Sequence, residues 1–120
     1  MMFTCFIRYQ VDPNKMEEFR EYAHSFIALI NKNGDTHHGY FVPETSEDNL
    51  PSAAFSFPGL GSEGPPNIAV ALFSFRSIEA YDRYRVAMSD DEDCKAARAR
   101  FDEAKCFSSY ERTLLMPIFE

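Results

Sequence analysis

The sequence predicts an α+β fold: a four-stranded antiparallel sheet with helices packed on one of its faces. Three observations carry that reading. Residues Phe3 to Val11 alternate with the period of two of a half-buried strand, whereas Asn14 to Asn31 repeats apolar residues at helical spacing. A second strand and a long connection follow. The strand-then-helix rhythm then returns from residue 67 and ends in a last strand. The order is β-α-β-β-α-α-β, which is the ferredoxin-like pattern.

The first strand, near 3–11, places Phe3, Cys5, Ile7, Tyr9 and Val11 on one face and Thr4, Phe6, Arg8 and Gln10 on the other. Asp12-Pro13 opens the helix near 13–31. The aspartate can cap orphan amides, and proline fits a first-turn position where no amide partner is lost. Met16, Phe19, Ala23, Phe26, Ile27 and Ile30 form its apolar stripe, and Asn33-Gly34 is expected to stop it in a left-handed conformation. His24 lies off that stripe and is expected at the surface. The strand near 36–42, Thr36-His37-His38-Gly39-Tyr40-Phe41-Val42, carries two of the three histidines.

Residues 43–66 form a loop of roughly two dozen residues, where connections usually run to about 4–6. Its Phe55 and Phe57 are expected to be more than half buried, pinning the loop to the domain or to a second copy. Asn67 to Phe75 is nearly continuous apolar sequence, as in a strand covered on both faces. Ser77 caps a helix near 77–88 bearing Ile78, Tyr81, Tyr84 and Met88. Ser89 with Glu92 reads as a capping box for a helix near 90–103, which carries Cys94, Ala97 and Phe101. The acidic run from Asp90 to Asp93 suits that helix's positive end. The closing strand lies near 108–116.

The chain has 120 residues, 45% of them hydrophobic, with twelve phenylalanines and no tryptophan: a single domain, 1–120, with ample material for one core. Cys5, Cys94 and Cys106 are odd in number and widely spaced, so neither a disulfide framework nor a zinc site is expected. Net charge is −7, and no basic patch interrupts the acidity, which argues against nucleic acid as a partner. No apolar run has the length of a membrane span and no secretion signal opens the chain, so cytoplasmic residence is the expectation.

Helices on one face leave the other to be accounted for. Phe6, Phe73 and Phe75 or their neighbours, and Leu115 would expose apolar area there, and a patch of that size marks an interface. Two copies closing sheet to sheet as a homodimer would bury it.

Four stretches together, Phe3-Thr4-Cys5-Phe6-Ile7-Arg8-Tyr9, Thr36-His37-His38-Gly39-Tyr40-Phe41, Ala71-Leu72-Phe73-Ser74-Phe75 and Ser109-Tyr110-Glu111-Arg112-Thr113, resemble the NIPSNAP family over nearly the whole chain. The resemblance implies a dimeric α/β barrel of two ferredoxin-like subunits. It implies no particular activity, because the biochemical role of that family is unsettled. The wider superfamily holds cofactor-free monooxygenases, haem-handling enzymes and small-molecule binders. The 43–66 loop is longer than the family's usual connection.

His37 and His38 invite a metal, but consecutive side chains on a strand point to opposite faces and cannot chelate one ion. One of them is expected to face a cavity, as a neutral imidazole suited to proton transfer near neutral pH. Arg8 and Glu111 sit near the middle of the first and last strands, which neighbour each other in this fold. They are expected to form a charged pair inside the barrel, either fixing register or anchoring a carbonyl-bearing or anionic ligand. Arg112 replaces Arg8 in the other register. Phe6, Tyr40, Phe41 and Phe73 complete the expected pocket, and Tyr9, Tyr81, Tyr84 and Tyr110 could add hydroxyls.

No P-loop, dinucleotide fingerprint or nucleophile elbow is present. The leading function is therefore a binding module, without a cofactor of its own, for a small apolar or carbonyl-bearing molecule. The alternatives are a cofactor-free monooxygenase or isomerase that uses a histidine of the second strand as base, and a haem protein with such a histidine as axial ligand.

Overall fold

The computed structural model describes residues 2–34, 36–43 and 56–118. Strand β1 (Phe3–Val11) leads through a 3₁₀ turn (Pro13–Lys15) into helix α1 (Met16–Asn33). Then come β2 (Thr36–Phe41), β3 (Ile68–Phe75), α2 (Ile78–Asp90), α3 (Glu92–Ala104) and β4 (Phe107–Leu115). The strands pair in the order β2-β3-β1-β4, every neighbour antiparallel. This is the ferredoxin-like sheet, with all helices on one side.

Alternation sorts the sheet as the sequence predicts. Phe3, Cys5, Tyr9 and Val11 of β1 and Ala69, Ala71, Phe73 and Phe75 of β3 are buried on the helix face. They meet Phe19, Phe26, Leu29 and Ile30 of α1, Tyr81 and Tyr84 of α2, and Cys94 and Phe101 of α3. Leu29 takes the buried place expected of Ile27, which is only half-buried. On the open face Phe6 stands opposite Leu72 and Thr113, Arg8 opposite Val70 and Glu111, and Phe41 opposite Val70. Of Phe73, Phe75 and their neighbours, it is Leu72 and Ser74 that reach this face.

Two helix boundaries differ from the sequence reading. Asp12 caps as expected, accepting the Asn14 amide at 2.9 Å. Gly34, however, is extended (φ −116°, ψ −168°) rather than left-handed. What requires glycine there is closeness: a Cβ would lie 2.9 Å from the Ile30 carbonyl oxygen. The α2–α3 boundary falls at Asp91, not at Ser89. Asp91 Oδ1 accepts the amides of Asp93 at 2.8 Å and Cys94 at 3.3 Å, while Oδ2 accepts Asn33 Nδ2 at 3.0 Å and pairs with Lys32 Nζ at 2.9 Å. A carboxylate serves two amides and two cross-helix donors at once, which a serine hydroxyl cannot do. That ties the end of α1 to the α2–α3 junction.

Of the two packings expected for the loop, the one against the domain is corrected at Phe57. Phe57 is 69% exposed on the chain, at the start of a turn that closes with a Leu60 amide to Phe57 carbonyl bond of 3.0 Å. With Pro58 and Gly59 (φ +87°) at its centre, this turn needs no packing to hold its shape. Phe55 lies outside the described residues. Among the described residues no helix is long and apolar enough to cross a membrane.

Candidate functional site

A concavity lies between the sheet and the helices, on the face opposite the expected charged pair. It is a cavity of about 930 Å³ with Tyr9, Phe26, Ile30, Phe73, Tyr84 and Phe101 among its buried walls. Its exposed rim is Arg98, Ala99 and Asp102 of α3, Lys105 just beyond it, and Ser108 and Tyr110 of β4. Both the size and the apolar lining fall in the range of small-molecule sites.

Three tyrosines meet inside. The Tyr9 hydroxyl lies 3.0 Å from that of Tyr22 and 3.5 Å from that of Tyr40. Around them the Tyr9 ring packs edge-on against Phe19 at 5.2 Å and Phe107 at 5.0 Å. Burial pushes the Tyr22 phenol up to about 12 and raises Tyr9 and Tyr40 well above the usual phenol value. All three are therefore neutral at physiological pH. The three hydroxyls hydrogen-bond among themselves, Tyr22 with Tyr40 as well as each with Tyr9, and make one polar spot in an otherwise aromatic wall.

Tyr40 reaches this cluster because β2 is irregular. His37 pairs with Phe73 and Gly39 with Leu72, leaving His38 as the extra residue of a bulge. The Gly39 amide donates to His37 Nδ1 at 2.8 Å, and Gly39 adopts φ +125°. Without the extra residue, Tyr40 would share a face with Thr36. With it, Tyr40 joins His37 on the helix face, their rings stacked at 5.4 Å and 12°.

The two histidines thus part company. His38 is on the open face, with Nε2 2.7 Å from the hydroxyl of the buried Ser74, itself 2.8 Å from the Thr4 hydroxyl. His37 stacks on Tyr40 and Phe73, two walls of the cavity, without lining it. Since Nδ1 accepts an amide, the ring proton sits on Nε2, which is buried and has no partner among the described residues. Burial, with a smaller push from His38, lowers the His37 pKa.

Arg8 Nη1 and Glu111 Oε1 do meet, at 3.1 Å, but on the open face with Phe6 and Phe41, away from the cavity. Arg112 does not take part: it is on the helix face, where Nη1 donates to the Tyr81 hydroxyl at 2.6 Å. Of the expected pocket residues, Tyr40 and Phe73 line the cavity. Tyr22, at the heart of the cluster, is absent from the sequence reading, although it sits three residues after Phe19 and four before Phe26 on the buried stripe.

No protein-family model and no curated protein matches the chain. Solved structures do. A NIPSNAP family protein from Agrobacterium tumefaciens superposes with a TM-score of 0.73 at 18% identity, over 98% of this chain and 87% of that one. A NIPSNAP-like domain protein from Burkholderia xenovorans gives 0.72 at 18%, over 98% and 86%. A candidate antibiotic biosynthesis monooxygenase from Nitrosomonas europaea gives 0.58 at 10%, over 98% and 91%. The chain has the fold of these proteins.

Proposed function

We propose that the chain binds a small, mostly apolar molecule bearing a carbonyl or similar acceptor, held in the cavity between sheet and helices. The observation that carries this is the Tyr9–Tyr22–Tyr40 cluster: neutral phenols, each able to turn its hydroxyl to an acceptor, set in aromatic walls. An apolar body supplies the affinity and the single acceptor fixes its orientation. Two copies meet through their open faces. What supports the pairing is that, among the described residues, no helix covers that face, and Phe41 and Leu115 stand exposed on it.

A second reading is a cofactor-free oxygenase or isomerase, in keeping with the name of the Nitrosomonas europaea protein of like fold. The buried phenols favour it, since a neutral hydroxyl turned from the cluster can hold the oxyanion of an enolised carbonyl. The base is the weak point. His37 spends Nδ1 on Gly39, and no histidine is among the cavity's lining residues. The same fact tells against a haem axial ligand. Binding without turnover is the reading we adopt.

Native mass spectrometry of the chain purified from its own host tests it. A retained small molecule is expected, and it should be lost in Ala99→Trp, whose indole would close the rim. A ligand retained equally by that variant would sit elsewhere, with the space between two sheets as the first alternative. A chain that carries nothing would favour an assembly module.

A further inference from the structure

The rim of the cavity has a chemistry that its interior does not. Arg98 and Lys105 stand exposed at the opening between α3 and β4. Among the described residues neither side chain makes a hydrogen bond or an ion pair. Most other cations of this acidic chain are engaged. Arg8 holds Glu111, Lys32 holds Asp91, Lys95 holds Glu92, Lys15 donates to the Ala104 carbonyl, and Arg112 donates to Tyr81.

Two carboxylates share the rim and leave these cations unpaired. Asp12 is committed as the cap of the turn before α1, accepting the Asn14 amide. Asp102 is four residues after Arg98, the less favourable order for an ion pair along a helix. The opening therefore carries two cations, neither with a partner among the described residues, beside two carboxylates, of which Asp12 already serves the cap. Beneath them the walls are aromatic down to the tyrosine cluster.

We infer that the occupant is an amphipathic anion: an apolar, largely aromatic or aliphatic body inside, with one acidic group at the rim between Arg98 and Lys105. This rests on the cavity being a binding site, as proposed above. The acceptor that meets the tyrosines and the acid that meets the cations are then at opposite ends of one molecule.

Two fluorophores of nearly the same body separate the inference from the reading beneath it: neutral N-phenyl-1-naphthylamine and anionic 1-anilinonaphthalene-8-sulfonate. Each is titrated into the full chain and competed against the other. Both should bind and displace one another. Arg98→Gln with Lys105→Gln should weaken the sulfonate roughly tenfold, the effect of losing two partly screened contacts, and change the amine by less than about twofold. Both residues are exposed, so the double variant should fold. If both probes bind and the double variant changes neither, the anion is refuted and the cavity stands. A sulfonate that binds without displacing the amine lies elsewhere and also refutes it. If the amine fails to bind the unmodified chain, the cavity reading falls and this inference with it.

Discussion

The amide of Gly39 donates to Nδ1 of His37 at 2.8 Å, and that bond holds the bulge that turns Tyr40 into the cavity. Gly39 sits at φ +125°, where a side chain is strained even though a Cβ would find ordinary contact, 3.6 Å from Phe41 Cζ. Gly39→Ala should cost about 1–2 kcal/mol of stability from backbone strain alone. Gly64→Ala, in open space and without a positive φ, should stay within about 0.5 kcal/mol. Urea denaturation of the two variants side by side measures this. Equal, small effects would mean that the bulge does not depend on glycine.

His37 also gives the fold a pH dependence. Burial lowers the His37 pKa below the usual imidazole value of about 6.5, so the unfolded chain binds more protons as pH falls past that value. The contribution of His37 is whole above about pH 6.5, and it declines below that until the folded state's own pKa is passed. His37→Asn keeps an acceptor two residues before the Gly39 amide but does not titrate. Unfolding midpoints compared at about pH 7.5 and about pH 5 should fall less for this variant than for the unmodified chain. Identical falls would clear His37 of the effect.

Asp91 joins three helices through one carboxylate. The Lys32 ammonium, then the Asn33 amide, hold its pKa well below the usual carboxylate range. Its contribution is therefore present above the unfolded value of about 3.9 and is lost only as pH falls from there toward the folded pKa. Asp91→Ala should lower the unfolding midpoint clearly at neutral pH, and Ser89→Ala should leave it nearly unchanged. The reverse order would restore the capping box that the sequence suggests.

That pair of residues shows where the sequence is legible. Strands and helices announce themselves because their periodicity is local: β1, α1 and β3 lie within a few residues of where alternation and helical spacing put them. The cap between α2 and α3 is not a local matter. Ser89 and Asp91 both qualify, and Lys32 and Asn33, far away in sequence, decide between them. The bulge is hidden for a similar reason, since it hangs on a histidine nitrogen taking an amide two residues on. Alternation alone predicts Tyr40 on the face of Thr36, and one extra residue reverses that. The cavity escapes because alternation names two faces without saying which one keeps a void. The chain's own charged pair, Arg8 and Glu111, stands on the other face.

That pair bears on whether two copies associate. Arg8 and Glu111 side chains are 41% and 74% exposed on the single chain, and such a pair is worth about 1 kcal/mol at most. Glu111→Arg should therefore hardly change the stability of an isolated chain. Within a sheet-to-sheet dimer the same reversal sets like charges together away from water. A few hundred Å² of apolar surface buried on each side, at roughly 25 cal/mol per Å², is several kcal/mol before the cost of association. A two-fold pair is the simplest closed way to obtain that burial. Sedimentation equilibrium at low micromolar protein should find a dimer, and Glu111→Arg should weaken it by at least about tenfold, while the unfolding midpoint of the monomer stays put. A monomeric unmodified chain would refute the pairing outright. A dimer indifferent to the reversal would leave the pairing standing and put Glu111 outside the contact, so that the exposed edge of β4 would become the next place to look.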